Sequence, residues 1–383
     1  MWPTSSRRTW GGYTHTMIGP GEQQPTAHAL QKRDAEPTDD TPLLPASDVP
    51  VLEVEDLTVR FRTRDPSRAV VHAVTDASFE IAPGETLGLI GESGSGKSTI
   101  ARAVSQLLRG DRVSVSGSVM LDGTRLDAIG RRRLRAYRHL MQMIFQDPND
   151  ALDPRMTVRQ SIEEPVRILR KSEGLDLSTT IDAALDAVGL AAAMSDRRPH
   201  ELSGGQRQRV NIARALSVQP RVLLCDEVVS ALDVSIQADI LNLLARLQRE
   251  LDLAYLFISH DLGVVASVSD RIGVMYLGRI VEVGTTEQVV NEPLHPYTEA
   301  LLSADPEPLP SRLRSRDRII LAGDVPSPIN PPSGCGLRTR CLYARERCAQ
   351  EVPELVADAD GHLVACHFAD ALELKGHPVA VAH

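Results

Sequence analysis

Between an apolar run, Glu85-Thr-Leu-Gly-Leu-Ile-Gly91, and a segment with apolar residues at helical spacing, Ser98–Leu108, lies Gly91-Glu-Ser-Gly-Ser-Gly-Lys-Ser-Thr99. A buried strand, a glycine-rich turn and a helix, in that order, point to an α/β architecture with a phosphate cradle at the strand end. Gly91, Gly94 and Gly96, with Ser93 between them, let backbone N–H groups turn inward around phosphate oxygens. The helix start adds partial positive charge. Lys97 places a point charge on the β- and γ-phosphates, and the hydroxyl residues Ser98 and Thr99 follow, Ser98 as a ligand for Mg²⁺. Taken alone, the same pattern also fits a glycine turn with a surface lysine.

A second apolar stretch, Arg221-Val-Leu-Leu-Cys-Asp-Glu227, reads as a strand ending in two carboxylates. Asp226 at the tip would hold Mg²⁺ directly or through water. Glu227 could polarise a water for attack on the γ-phosphate. An isolated Asp-Glu pair is otherwise a solvated strand end. Cys225 reads as a small buried hydrophobe. A further strand, Tyr255–Ser259, ends in His260, which either reaches the γ-phosphate or is structural.

The 383 residues allow two or three domains. With 42 basic against 51 acidic residues, the chain is a poor candidate for a nucleic-acid binder that neutralises phosphates. The basic run Arg131, Arg132, Arg133, Arg135 and Arg138 accordingly reads as a solvated helix face. No run of 18 apolar residues is present, so no membrane span is expected. Arg7 and Arg8 are not followed by an apolar stretch, which disfavours an export signal and places the chain in the cytoplasm. Residues 1–50, rich in proline and polar residues, read as a disordered leader, with Met17 an alternative start. Residues 51–292 read as one α/β domain and 293–383 as a small extension. Nine prolines between Asn291 and Pro332 give the extension's first part an irregular course.

Leu202-Ser-Gly-Gly-Gln206 runs directly into a helical segment, Arg207–Leu216, so Ser203, Gly204 and Gly205 lie at a helix N-terminus. With Gln146, Asp226-Glu227, Ser230-Ala-Leu-Asp233 and His260 following the cradle in order, residues 51–292 resemble an ABC-transporter ATPase subunit. The resemblance implies a P-loop NTPase fold: a RecA-like sheet domain with an antiparallel β part and a helical subdomain at about 147–202. It implies ATP and Mg²⁺, the metal shared by Ser98, Asp226 and Gln146. Gln146 would also sense the permease. Glu227 would be the general base, His260 the γ-phosphate switch, Phe61 the aromatic stacked on adenine, and Asp233 a coupler of two active sites. Ser203 to Gln206 would face the γ-phosphate held by a second ATPase subunit. Val228 stands where the family usually has proline, which would leave the turn carrying Glu227 slightly looser.

Met143–Thr157, Asp226–Gln237 and His295-Pro-Tyr-Thr-Glu-Ala-Leu-Leu302 resemble the oligopeptide/dipeptide (and nickel) importer subgroup, nearer to the second ATPase of its usual pair. The resemblance implies two membrane permeases, an extracytoplasmic solute-binding protein served indirectly, and a place on the cytoplasmic face of the membrane. An exporter or nickel-importer ATPase and a soluble ABC protein are the alternatives. Cys335, Cys341, Cys348 and Cys366 are spaced more widely than a zinc knuckle. They could hold zinc, an iron–sulfur cluster or nothing, with His367 a bystander. The subgroup associates such cysteines with a [4Fe–4S] cluster.

Overall fold

The computed structural model describes residues 49–64, 68–170, 176–304 and 319–376. The leader expected over 1–50 lies, apart from its last two residues, outside them. The first two strands, β1 (Leu52–Arg62) and β2 (Val70–Ile81), pair antiparallel, and β3 (Thr86–Ile90) follows, fully buried. Helix α1 (Lys97–Val104) then leads to β4 (Val113–Leu121) and the short β5 (Thr124–Arg125). The strands β1, β2, β4 and β5 form a four-stranded antiparallel sheet.

Helix α1 is shorter than its sequence suggests. The pattern continues to Leu108, but Gln106 takes a left-handed φ of 56° and the N–H of Leu107 donates to the carbonyl of Arg102. The side chain of Ser105 bonds back to Ala101, so the last turn closes without a glycine.

Next come α2 (Arg131–Tyr137), β6 (Met141–Ile144), α3 (Pro148–Ala151), α4 (Val158–Leu169) and α5 (Leu177–Ala187). In α2, Leu134 and Tyr137 turn inward while Arg131, Arg132, Arg133 and Arg135 face solvent. Helix α4 opens on a Thr157/Gln160 capping box. It lays Val158 and Ile162 into a core shared with α5 and with α6 (Gly204–Leu216), and Val166 is buried as well. The remaining elements of this α/β domain are β7 (Val222–Asp226), α7 (Val234–Leu251), β8 (Ala254–Ile258), α8 (Leu262–Val268), β9 (Arg271–Tyr276), β10 (Arg279–Thr285) and α9 (Thr286–Asn291).

The main sheet is parallel from β6 through β7, β8 and β3 to β9, and β10 adds antiparallel beside β9. Alternate residues of β7 and β8 serve opposite layers. Leu223, Cys225, Tyr255 and Phe257 face the helices, whereas Val222, Leu224, Leu256 and Ile258 face α1 and the antiparallel sheet. Both faces being covered, these strands read as unbroken apolar runs.

The extension does not stand apart from this core. After α10 (Pro296–Ala304) and α11 (Glu346–Gln350), the hairpin β11 (Val356–Ala357) and β12 (Leu363–Val364) pairs with β10 and lengthens the main sheet to eight strands. Among the described residues no helix is long and apolar enough to cross a membrane.

Candidate nucleotide site

Strand β3 delivers the chain to Gly91 at the carboxyl edge of the sheet. Two glycines there are sterically obligatory. Gly91 has φ 150°, and a Cβ on it would lie 2.1 Å from the carbonyl oxygen of Met275; at Gly96, φ is 110° and a Cβ would lie 2.3 Å from that of Ala73. Ser93 and Gly94 are exposed at the mouth of the turn, and Thr99 is half-buried on the first turn of α1.

Lys97 is buried, its Nζ donating to the carbonyls of Gly91 at 2.7 Å and Glu92 at 3.0 Å and to Ser95 Oγ at 3.3 Å. Burial lowers its pKa, opposed by Glu227, Asp226 and Glu92. The ammonium is therefore held by uncharged loop oxygens that phosphate oxygens can replace.

Beside it, Ser98 Oγ donates to Asp226 Oδ1 at 2.7 Å. Asp226 is 3% exposed, and burial raises its carboxyl pKa despite the Ser98 hydroxyl, Arg102 and Lys97. A hydroxyl and a carboxylate meeting at a helix start and a strand end are hard oxygen donors that suit Mg²⁺.

Glu227, one residue beyond β7, has a left-handed φ of 50°, a conformation that costs a non-glycine residue about 1–2 kcal/mol. The turn that proline would stiffen is pinned here by hydrogen bonds. The Glu227 N–H donates to Ile258 at 2.9 Å, and its carbonyl accepts from the N–H and hydroxyl of Ser230. Gln208 Nε2 on α6 donates to the carbonyl of Val228 at 2.9 Å. The Glu227 carboxylate points between two groups: Gln146 Nε2 donates to Oε2 at 2.7 Å, and His260 Nδ1 stands 3.4 Å from Oε1. A sequence spread over more than a hundred residues is thus gathered around one carboxylate.

Ser203 caps α6. Its hydroxyl accepts from the N–H of Gln206 at 3.3 Å, and the Gln206 side chain accepts from the N–H of Ser203 at 3.0 Å. Gly204 follows, and Gly205 lies against Ile236 of α7. Ser203 and Asp233, the latter at the start of α7, are both exposed. Phe61 sits half-buried on β1, opposite Val71 and Val113. Among the described residues no hydrogen bond joins Ser203, Asp233 or Phe61 to the cradle of the same chain.

Cys225 is fully buried in β7, and burial pushes its thiol up to about 12, as suits a core residue. Cys335, Cys341, Cys348 and Cys366 are free thiols that all line one small pocket with His295 and Phe368. Burial raises the pKa values of Cys335 and Cys366 and pushes Cys341 up to about 11. Among the described residues no three His, Cys, Asp or Glu side chains are grouped to hold a metal ion. His367 Nε2 lies 3.0 Å from the carbonyl of Glu351.

Residues 74–230 match the family model described as ABC transporter, and residues 281–348 match that of the oligopeptide/dipeptide transporter C-terminal region. The oligopeptide transport ATP-binding protein OppF of Haemophilus influenzae is 45% identical over 323 residues, 82% of this chain and 96% of that protein. AppF of Bacillus subtilis, of the same description, is 44% identical over 323 residues, covering 83% and 97%. The chain belongs to the ATP-binding subunits of ABC transporters. Among solved structures, the ABC ATPase resembles the dimeric bacterial ABC transporter cassette MJ0796, with a TM-score of 0.54 and 26% identity over 61% of this chain and 98% of that one. It also resembles cbiO1 of Clostridium perfringens, part of the cbiONQ complex, with a TM-score of 0.53 and 28% identity over 63% and 90%.

Sequence reasoning missed how this ABC ATPase fastens its extension. Glu282 of β10 has no exposed surface; it accepts from the N–H groups of Leu294 at 2.7 Å and His295 at 3.0 Å and from the Thr298 hydroxyl. Burial pushes His295 down to about 3, so its ring is neutral, and Nδ1 accepts from the N–H of Tyr297. The His295–Leu302 segment, legible only as a subgroup signature, is a buried fastening.

Proposed function

We propose that this ABC ATPase hydrolyses ATP at the Gly91–Thr99 cradle to drive import of oligopeptides or similar solutes through a pair of membrane permeases. The observation that carries the catalytic part is the Glu227 carboxylate held between Gln146 and His260, next to the Ser98–Asp226 pair. The triphosphate draws Lys97 from its loop carbonyls. Ser98 and Asp226, with Gln146, would hold Mg²⁺, which when bound neutralises charge on the β- and γ-phosphates. Glu227 takes the proton of the attacking water, which Gln146 helps to orient, and His260 contacts the γ-phosphate. Phe61 stacks on adenine.

Two ATPase subunits, identical or similar, close head to tail. The Ser203–Gln206 helix end of one then seals the γ-phosphate in the cradle of the other, and Asp233 relays between the sites. The dimeric form of the MJ0796 cassette supports this pairing. Closure moves the α4–α5 region against a permease at the cytoplasmic face of the membrane, and a solute-binding protein outside delivers the cargo. Peptide as the solute is supported by the 281–348 match and by the relatives' descriptions. Cys335, Cys341, Cys348 and Cys366 are the proposed holders of a [4Fe–4S] group, which would supply a covalent cross-link of the loop and one-electron chemistry.

The test is uptake of a labelled tripeptide by cells whose only copy of this subunit carries Glu227→Gln. Uptake should vanish while uptake of a free amino acid by an unrelated carrier continues. Undiminished tripeptide uptake would refute the peptide-import reading.

A further inference from the structure

Glu92, the second residue of the cradle, is engaged at three points. Its carbonyl accepts from Lys97 Nζ, its N–H donates to Tyr297 Oη at 2.7 Å, and its carboxylate faces Arg340. Arg340 Nη1 lies 3.1 Å from Oε2 and 3.3 Å from Oε1, and Nη2 lies 3.4 Å from Oε1. The Arg340 side chain is only 9% exposed, and its Nη1 also reaches Tyr276 Oη at 3.5 Å. Tyr276 and Tyr297 pack against each other at a tilt of 54°, with ring centroids 4.6 Å apart. Two of these three partners, Tyr297 and Arg340, come from beyond the cradle and the strand-end motifs. Tyr297 is on α10, and Arg340 directly precedes Cys341 in the loop that also carries Cys335.

We propose that Arg340 is a positioning residue for ATP binding, which acts through Glu92 so that the cysteine loop of the extension holds the phosphate cradle in its receptive shape. The physical route is short. Glu92 supplies one of the carbonyls that hold Lys97, and the guanidinium fixes Glu92 from the far side. Releasing Arg340 frees the first turn of the cradle, and ATP must then order it on binding. Because the guanidinium bonds of Arg340 go to Glu92 and Tyr276, it acts on the cradle indirectly, and the loss belongs in nucleotide affinity rather than in the chemical step. The proposal rests on the reading of Gly91–Thr99 as the ATP cradle.

The experiment is steady-state ATPase kinetics on the full-length chain carrying Arg340→Gln, Glu92→Gln, both together, or Arg340→Lys. Arg340→Gln should raise KM for ATP roughly fivefold to tenfold with kcat within about twofold, the scale of one lost charge-assisted pair. Glu92→Gln should match it, the double variant should be no worse than either, and Arg340→Lys should recover part of the loss. An unchanged KM in Arg340→Gln, a fall confined to kcat, or effects that multiply in the double variant would each overturn the proposal. Should Arg340→Gln fail to fold, Glu92→Gln, which retains the Tyr297 bond, carries the same test. Lys97→Ala is the reference: undiminished ATP binding there sinks the cradle reading itself.

Discussion

Gln146 Nε2 lies 2.7 Å from Glu227 Oε2, so the residue two places beyond β6 and the residue directly after β7 meet although 81 positions separate them. The parallel pairing of the two strands, with Ile144 beside Cys225, brings their carboxyl ends level. A shift of either strand along the other would part the amide from the carboxylate. Sheet register thus sets the geometry of the proposed hydrolytic centre.

Replacing Glu227 by Gln should leave ATP binding intact and lower turnover by about 10²–10⁴-fold, the usual contribution of a positioned base. The bonds from Gln208, Ile258 and Ser230 hold the turn through backbone groups, so the variant should melt close to wild type. Single-turnover hydrolysis together with nucleotide binding decides the matter; wild-type turnover would remove Glu227 from its role.

Lys97→Ala removes the cation that three loop oxygens surround. Charge-assisted hydrogen bonds contribute about 1.5–3 kcal/mol each, so ATP affinity should fall by at least roughly tenfold to a hundredfold. Calorimetric titration that found the affinity unaltered would mean the phosphates sit elsewhere.

Asp226 gives a dependence on pH. Its folded-state pKa is raised by burial, so the protonated carboxyl is favoured by folding. The stabilising contribution is present below the unfolded pKa and is lost as pH rises through the folded one. Nucleotide-free Asp226→Asn should therefore melt higher than wild type at pH 8, with the gap closing as pH is lowered through the Asp226 titration. Mg²⁺ competes with the same proton, so the metal affinity of the wild type should weaken on acidification. Equal melting temperatures at pH 8 would show that the buried charge costs nothing.

The sheet and the cradle were readable because their signals are local. β3 and β7 are followed at once by Gly91 and Glu227, β8 by His260 one residue later, and the Ser203/Gln206 cap marks the start of α6 within four residues. The end of α1 was not readable, since Gln106 adopts the left-handed conformation where glycine is the usual signal. The role of Tyr297 was invisible for another reason: its partner, the N–H of Glu92, lies 205 residues away. Such a bond leaves no periodicity. A buried tyrosine after His-Pro is only a hint that an oxygen needs a partner.

The four C-terminal thiols should retain about four irons per chain after anaerobic purification if they hold the proposed cluster. Cys341→Ser, which removes one thiol from the shared pocket, should lose most of the iron and the accompanying visible absorbance. Protein that contains neither iron nor absorbance when wild type is purified without oxygen would reduce the four cysteines to packing.

Glu282 offers the sharpest test of how the extension is held. Its carboxylate takes two backbone N–H groups and the Thr298 hydroxyl, and His362 Nε2 of the β11–β12 hairpin region stands 2.9 Å away. Glu282→Ala would strand those buried donors, at a cost of about 1–3 kcal/mol for each unsatisfied group. Glu282→Gln keeps an acceptor oxygen and should cost less. The alanine variant should expose the chain near Leu294 to limited proteolysis. It should also weaken ATP binding, because Tyr297 leaves Glu92 when the segment lifts. Wild-type protease resistance in Glu282→Ala would mean that β12 pairing and the apolar contacts of α10 suffice to fasten the extension.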